Sequence, residues 1–134
     1  TLKSLRFEHK TNIKLIQLIG ENQWKLSDTD FTYLKSKKGM KEVSQYAEGI
    51  GPWMNQVVTG IDYSGKVQIT DLVANARRHS LLIHPYTFRA DRIPSYVSSF
   101  EELLHIFFNE VQVDGIFTDF PDIVVNYLEK NPRD

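Results

Sequence analysis

The chain contains no cysteine. This absence excludes a disulfide framework, thiolate zinc sites and a cysteine nucleophile. It does not identify a compartment, because cytosolic and exported proteins alike can lack cysteine. Long hydrophobic runs are also missing, and the longest candidates, such as Leu15 to Gly20, are far shorter than the roughly 20 residues of a membrane span. With 16 basic and 17 acidic residues the net charge is −1, so no whole-molecule field attracts nucleic acid or anionic lipid.

The overall amino-acid composition is that of a globular protein. The 134 residues are 41% hydrophobic, 25% charged and 12% aromatic, which argues against disorder and corresponds to about one domain. The chain begins at Thr1 and carries no recognisable signal peptide. We expect it to be a piece of a longer protein, and the pattern along the chain supports this expectation.

Hydrophobic periodicity predicts four strand-then-helix units in succession. The predicted strands cover residues 13–19, 49–53, 81–88 and 115–119. Predicted helices cover 40–47 and 70–79, then a stretch opened by the capping box of Ser99 and Glu102, and finally a helix with Pro121 at its first position. A helix remnant precedes them at 2–9, and residues 21–38 and 55–66 are predicted as loops.

Alternating strands and helices predict the α/β class, with a parallel sheet and helices packed outside it. Four such units could form half of a (β/α)₈ barrel or a small open, doubly wound sheet. The open sheet calls for a glycine-rich phosphate loop after the first strand, but Gly20 is followed by Glu21, Asn22 and Gln23. The pattern therefore favours the half-barrel, with the open sheet as the alternative.

Ligands of parallel sheets bind at the carboxyl ends of the strands. The residues at those positions are largely aromatic, with one cation and one carboxylate: Trp53, Tyr86, Phe88, Arg89, Phe117 and Asp119. Such a set suits the carbon skeleton of a small polyol or alcohol. Two alternatives remain open at this point, because Phe88 and Phe117 could be barrel core and Asp119 could cap the last helix.

The sequence offers no recognisable catalytic constellation. The four histidines, at positions 9, 79, 84 and 105, form no pair at metal-ligand spacing. Of these only His84 is placed to face a barrel mouth or interior, and a hydrogen-bonded structural role suits it better than a ligand role. No Ser-His-Asp arrangement, phosphate loop or nucleophile elbow is present. These residues indicate a pocket wall without reactive groups.

Three motifs follow one another along the chain: MKEVSQYAEGIGP at 40–52, HPYTFR at 84–89 followed by DRIP at 91–94, and VDGIFTDFPD at 113–122. They resemble the later strands of bacterial glycerophosphodiester phosphodiesterases of the periplasmic type. A weaker similarity extends back through the strand at 15–19. The resemblance thus covers nearly all of the chain, with its motifs in matching order.

The resemblance implies a (β/α)₈ barrel that hydrolyses glycerophosphodiesters to glycerol 3-phosphate and an alcohol. Such enzymes use a divalent metal, usually calcium in this branch, and their catalytic residues are a His-Arg-Gly motif, a Glu-x-Asp pair, a further histidine and a metal-binding glutamate. This chain contains none of these motifs. It therefore resembles the C-terminal half of the enzyme, strands five to eight, as one barrel segment over 1–134. The catalytic residues and calcium ligands are expected outside it, and a periplasmic location is implied by resemblance alone.

The resemblance also implies which residues contact substrate. Tyr86 stands where many members have Trp, and it and Phe117 are expected to pack against the glycerol carbons, with Phe88 and Asp119 as further substrate-side residues. The Tyr86 hydroxyl could bond a glycerol oxygen. Arg89 stands where relatives often have Asn, which argues against a ligand role for it. Asp119 is expected to tie the barrel closed or to hold a neighbouring active-site group.

Two hypotheses describe the function of the chain. In the first, it is the substrate-side part of a phosphodiesterase acting on a small-molecule glycerophosphodiester, inactive on its own, with no nucleic-acid partner and no membrane span. In the second, it is a non-catalytic half-barrel that self-associates through exposed sheet edges and serves as a binding or scaffolding module.

Overall fold

The computed structural model describes residues 1–132. The strands, in chain order, are β1 (Ile16–Ile19), β2 (Gly49–Pro52), β3 (Val58–Ile61), β4 (Val67–Ile69) and β5 (Leu82–Ile83). The helices are α1 (Leu2–Phe7), α2 (Phe31–Lys35), α3 (Lys37–Val43), α4 (Asp71–Arg77), α5 (Phe100–His105) and α6 (Pro121–Lys130). A π-helical segment, Ile106–Val111, continues α5.

The central sheet is parallel and follows the order of the chain. Strand β2 lies between β1 and β5, with Ile16 opposite Gly49 and Ile50 opposite Ile83. Beyond β5 the parallel pairing continues as single bridges, between Trp53 and Tyr86 and then between Phe88 and Thr118. The carboxyl ends of β1, β2 and β5 and the segment around Thr118 therefore meet along one edge of the sheet.

One face of the sheet is covered by helices. The side chains of Ile19, Ile50 and Ile83 lie on this face and are almost completely buried. The hydroxyl of Tyr46, just after α3, donates to Oε1 of Gln17 on the same face. The α5 side chains predicted to share one face, Phe100, Leu103, Leu104, Phe107 and Val111, are all buried, as helical spacing requires.

The opposite face, which we call the glycine face, carries Ile16, Leu18, Gly49, Gly51 and Leu82. The absence of a side chain at Gly49 and Gly51 lets the side chains of Ile16 and Leu18 lie over the neighbouring strand. Leu18 is 54% exposed on this face. The glycine face is therefore apolar and partly open to solvent.

Helix starts follow the predicted chemistry, with one rearrangement. The hydroxyl of Ser99 accepts a hydrogen bond from the backbone N–H of Glu102, as a capping box requires. The carboxylate of Glu102, however, accepts from the N–H and hydroxyl of Ser98 instead of from Ser99. Pro121 occupies the first turn of α6, as predicted.

The predicted loops contain regular structure. Residues 31–43 form α2 and α3, whose N-caps are the side chains of Asp30 and Ser36. Residues 58–69 form an antiparallel hairpin of β3 and β4. Its turn is held by Oδ1 of Asp62, which accepts from the backbone N–H groups of Ser64 and Lys66.

The predicted strands are mostly shorter than expected. The first begins at Ile16 instead of residue 13, and the third is regular only at Leu82–Ile83. Proline at position 85 has no N–H to donate to a ladder, which interrupts the pairing. The fourth, at 115–119, forms no regular strand within the described residues. It joins the segment after β5 through the bridge at Thr118 and through backbone hydrogen bonds of Phe117 with Pro85 and Phe88. The predicted helix at 40–47 lies at 37–43.

These observations confirm the α/β class. The half-barrel and its extent over 1–134 stay predictions, and residues 133 and 134 lie outside the described residues. Within the described part of the chain, no helix has both the length and the apolarity needed to cross a bilayer.

Gly49 and Gly51, on the same face of β2, are expected to differ in how much stability is lost when each is replaced by alanine. Alanine at Gly49 would place its Cβ 2.7 Å from the carbonyl oxygen of Leu82, which is backbone and cannot yield. Alanine at Gly51 meets Cδ2 of Leu18 at 2.6 Å, and this half-exposed side chain can rotate away. We expect Gly49→Ala to lower the free energy of unfolding by about 1–3 kcal/mol and Gly51→Ala by less than about 1 kcal/mol. Urea denaturation of both variants measures the difference, and equal losses would contradict the register of β2 and β5.

Candidate functional site

A cavity of about 450 Å³ opens at the carboxyl ends of β1, β2 and β5. Its apolar wall includes the rings of Trp24, Trp53 and Tyr86, and its polar lining includes Asn55, Thr87, Arg89 and Arg92. The volume and the mixture of aromatic and polar groups are those of a small-molecule site. We refer to this cavity as the mouth pocket.

The aromatic wall is built from three successive strand ends. Trp24 lies in the turn after β1 and Trp53 directly follows β2, with ring centroids 5.3 Å apart at an interplanar angle of 67°. This edge-on arrangement is a favourable one for aromatic pairs. The hydroxyl of Tyr86 donates to the carbonyl oxygen of Ile19 at 2.7 Å, which spans the sheet from the segment after β5 to the end of β1. Burial, followed by the nearby charge of Glu21, raises the pKa of Tyr86, so this donor stays protonated at neutral pH.

Gln56 holds the wall in place from behind. Its Oε1 accepts from the backbone N–H of Trp53 at 2.9 Å, while its Nε2 donates to the carbonyl of Gly20 at 2.7 Å and to Oε1 of Glu21 at 2.6 Å. The side chain is 7% exposed. A single buried amide therefore joins the end of β1 to the end of β2.

Glu21 is held ionised by its neighbours. Burial by itself would raise the pKa of Glu21, but hydrogen bonds from the ammonium of Lys35 and the amide of Gln56 outweigh burial and keep the pKa below its usual range. The Lys35 ammonium lies 2.8 Å from the carboxylate. This carboxylate is therefore engaged in structure and is not available as a general acid.

Arg89 ties two loops together at the edge of the mouth pocket. It contacts Asp91 through paired bonds, Nε to Oδ1 at 3.0 Å and Nη2 to Oδ2 at 2.8 Å. Its Nη1 donates to Asp119, and its guanidinium lies over the ring of Phe120. The Asp91 contact raises the pKa of Arg89, and the same contact lowers the pKa of Asp91. Asp119 thus contacts Arg89, and its expected role in closing the barrel or in holding an active-site group stays a prediction.

The structure separates the four residues expected to contact substrate. Tyr86 lines the mouth pocket, but its hydroxyl proton is already donated to Ile19. Phe88 is completely buried, with its ring 4.8 Å from that of Phe107, as in the core alternative, and its role towards substrate stays a prediction. Phe117 is 44% exposed and contacts His84 edge-on at 6.5 Å. Neither Phe117 nor Asp119 lines the mouth pocket, and their roles towards substrate stay predictions.

Sequence reasoning missed Trp24, Asn55, Gln56, Thr87 and Arg92 as parts of the site. Trp24 lies in a stretch predicted as loop, and only its position shortly after the first strand, parallel to that of Trp53 after the second, could have revealed it. Nothing in the local sequence around Gln56 indicates its role, because that role depends on a hydrogen bond to Gly20, which is distant in the sequence. These residues belong to the pocket through contacts between distant segments.

The donors near the mouth pocket do not fit a divalent cation. Among residues 1–132, no three His, Asp or Glu side chains come together as a metal site. The nearby carboxylates have cationic partners, since Asp91 and Asp119 contact Arg89 and Glu21 contacts Lys35. Calcium prefers several free oxygen ligands. Ligands outside this chain therefore stay a prediction.

Loss of the Gln56 amide is expected to destabilise the mouth pocket. In Gln56→Leu the backbone N–H of Trp53 and the carbonyl of Gly20 lose their partner while staying buried, which costs about 2–3 kcal/mol of unfolding free energy. Urea denaturation measures this loss, and tryptophan emission should shift to longer wavelength as Trp53 loosens. Gln45→Leu serves as the matched control, because Gln45 is exposed. An equal effect in both variants would contradict the role of Gln56.

Comparisons with known proteins agree with this geometry. Residues 1–123 match the model of the glycerophosphoryl diester phosphodiesterase family. A glycerophosphodiester phosphodiesterase from Treponema pallidum is 26% identical over 94% of this chain and 38% of its own length. One from Haemophilus influenzae is 29% identical over 88% of this chain and 35% of its own length.

A plant relative shows the same partial coverage. A glycerophosphodiester phosphodiesterase from Arabidopsis thaliana is 33% identical over 78% of this chain and 30% of its own length. The chain thus spans about a third of the length of these curated relatives. With a parallel α/β sheet, a pocket at its carboxyl edge and a family match over nearly its whole length, the chain belongs to the glycerophosphoryl diester phosphodiesterase family.

Proposed function

We propose that this chain forms the substrate-side wall of a glycerophosphodiester phosphodiesterase, as the C-terminal half of a (β/α)₈ barrel. The observation that carries the proposal is the mouth pocket, an aromatic-walled cavity at the carboxyl ends of parallel strands. It lies where barrel enzymes bind their substrates. The relatives are named glycerophosphodiester phosphodiesterases, and the reaction proposed for the whole protein is hydrolysis of a glycerophosphodiester to glycerol 3-phosphate and an alcohol.

The proposed hydrolysis divides its tasks between this chain and the rest of the protein. Water adds to phosphorus and the P–O bond to the alcohol breaks, so a base must take a proton from water and an acid must give one to the departing oxygen. A calcium ion, held by residues outside this chain, would supply charge neutralisation at the phosphoryl oxygens. The residues of this chain bind and orient the organic part of the substrate and exclude water through the rings of Trp24, Trp53 and Tyr86.

The exposed apolar surface supports the half-barrel part of the proposal. Large side chains are exposed on the N-terminal side, where Phe7 is 57% and Ile13 is 72% exposed, and on the last helix, where Val125 is 51% exposed. Leu18 is likewise exposed on the glycine face. In a closed barrel all three surfaces are contacts with the remaining strands and helices. Export to the periplasm is proposed only by similarity to the periplasmic branch.

Removal of one aromatic ring tests the role of the mouth pocket. In the full-length protein that contains this chain, Trp53→Ala should raise KM by about 10-fold or more, because a buried aromatic contact with substrate is worth about 1.5–3 kcal/mol. Release of glycerol 3-phosphate, followed with a coupled dehydrogenase, gives KM and kcat. Tyr63→Ala is the control, since Tyr63 is fully exposed at the tip of the β3–β4 hairpin.

The same assay tests the division of tasks. The 134-residue chain by itself should release no glycerol 3-phosphate, with or without calcium. Robust turnover by the isolated chain would refute the proposal that the acid, the base and the metal ligands lie outside it. An unchanged KM in Trp53→Ala would refute the assignment of the mouth pocket to substrate.

The same surfaces favour a second candidate, self-association of the isolated chain. Because the glycine face and the last helix expose apolar side chains, we expect the wild-type chain to sediment as dimers or larger species. Leu18→Gln combined with Val125→Gln should shift it towards monomer. Tyr63→Gln should not, although it removes an equally exposed apolar side chain. A wild-type chain that sediments as a clean monomer would contradict both the exposed edges and the scaffolding alternative.

A further inference from the structure

A second cavity, of about 310 Å³, adjoins the mouth pocket, and Asn55 lines both. We call it the α4 cavity, because Asp71, Leu72 and Asn75 of helix α4 line it. The segments after β1 and β2 and helix α2 supply its other charged and amide side chains, Glu21, Gln56 and Lys35. The hydrolysis proposed above uses no residue of α4.

The side chain of Asn75 is buried in the wall of the α4 cavity without a partner. Asn75 is 8% exposed, and its amide makes no hydrogen bond with any described residue. Among residues 1–132, the hydroxyl of Tyr96 is the one fully buried side-chain polar atom that lacks a partner, so the Asn75 amide keeps an opening, which the cavity provides. Buried amides are normally hydrogen-bonded. A free one that faces a cavity points to a bound group there.

Most of the charge in the α4 cavity is already paired. The carboxylate of Glu21 lies 2.8 Å from the ammonium of Lys35 and accepts from the amide of Gln56 at 2.6 Å. The hydroxyl of Thr70 donates to the carbonyl oxygen of Gln56 at 2.5 Å. The remaining charge belongs to Asp71, an exposed carboxylate that makes no hydrogen bond or ion pair with the described residues. The cavity therefore carries one negative charge without a cationic partner.

Asp71 and Asn75 are neighbours on the surface of α4. Residues four apart lie one turn apart on the same helix face, so the free carboxylate stands beside the free amide. Asn55 adds a second amide from the segment after β2, and its side chain likewise makes no hydrogen bond within residues 1–132. The α4 cavity thus offers one carboxylate and two amide oxygens that no described residue uses.

These acceptors fit a primary ammonium group better than other ions. An ammonium has three N–H donors and no acceptor, which matches one carboxylate and two amide oxygens. An anion would face the charge of Asp71, while the nearby cation, Lys35, is engaged by Glu21. Calcium calls for several free oxygen ligands, and no three His, Asp or Glu side chains of the described chain come together to hold a metal.

We propose that the α4 cavity binds a primary ammonium group, which Asp71 neutralises and which the amide oxygens of Asn75 and Asn55 orient. The ammonium belongs either to a free amine or to a lysine side chain, because both sources share this chemistry. The inference does not rest on the proposed function, since binding at the α4 cavity requires no hydrolysis. A full-length protein that hydrolyses no diester but binds the ammonium would refute the proposed function alone.

Asparagine side-chain signals measure binding at the site itself. The full-length protein that contains this chain is isotopically labelled at asparagine and titrated with n-propylammonium, and the side-chain N–H signals are followed by NMR. The signals of Asn75 and Asn55, assigned by their loss in Asn75→Leu and Asn55→Ala, should shift along one saturable curve. The signal of Asn126, which is exposed on α6, should stay fixed. No saturable shift at Asn75 would overturn the proposal.

Two analogues test which property of the ligand is recognised. 1-Propanol has the same carbon chain without the charge, and tetramethylammonium has the charge without an N–H donor. Each should bind at least about tenfold more weakly than n-propylammonium, because a site built from hydrogen-bond acceptors rejects an analogue that cannot satisfy them. Equal binding of either analogue would overturn the assignment to a primary ammonium group.

Substitutions identify the groups responsible. Asp71→Asn should weaken n-propylammonium binding by about fivefold or more. Asp122→Asn is the matched control, because Asp122 lies in the first turn of α6 as Asp71 does in α4, and it should leave the affinity unchanged. Asn75→Leu should leave the midpoint of urea denaturation unchanged or raise it, because the amide supports no other residue. Equal affinities in the two aspartate variants, or a lower midpoint in Asn75→Leu, would overturn the proposal.

A lysine derivative distinguishes the two sources of the ammonium group. Nα-acetyl-lysine methylamide presents the lysine side chain as a protein segment does, and it is titrated in the same way. Tighter binding of this compound than of n-propylammonium supports a lysine of another protein segment as the occupant, and weaker binding supports a free amine. Absence of binding by both compounds would overturn the proposal.

Discussion

The buried amide of Gln56 is the interaction on which the site depends. Three hydrogen bonds from one side chain join Gly20 and Glu21, at the end of β1, to Trp53, at the end of β2. Parallel strands bring these ends close together, but strand pairing alone does not set the orientation of the loops beyond them. By binding backbone on both sides, Gln56 converts two adjacent loops into one rigid wall. This arrangement fixes the relative position of the two tryptophan rings.

Much of the fold was predictable because it depends on local chemistry. The capping hydroxyl of Ser99, proline at position 121 and the apolar face of α5 each specify a helix from a few neighbouring residues. Parallel strand order followed from the alternation of strands and helices. The prediction missed α2, which has only 5 residues, and it placed the start of α3 three residues too late. The caps of these helices at Asp30 and Ser36 lie within a polar stretch that is typical of a loop.

The site was predictable only in outline. Strand ends identified Trp53, Tyr86 and Arg89, because topology alone places them at one edge of the sheet. The same rule also selected Phe88, whose side chain points to the opposite side and packs against Phe107. Alternation along an extended chain makes neighbours such as Arg89 and Phe88 face different surroundings. Gln56 and Trp24 required knowledge of which distant segments meet, and periodicity carries no such information.

The polar groups around the mouth pocket differ in how well this chain is expected to tolerate their substitution. Residues that build the cavity, such as Gln56, cannot change without loss of stability, because each supports buried backbone. Asn55, Thr87 and Arg92 support no other residue among those described, so their replacement costs the fold no hydrogen bond. Substitutions at these three positions therefore change the lining of the mouth pocket and leave the buried hydrogen bonds that stabilise it intact.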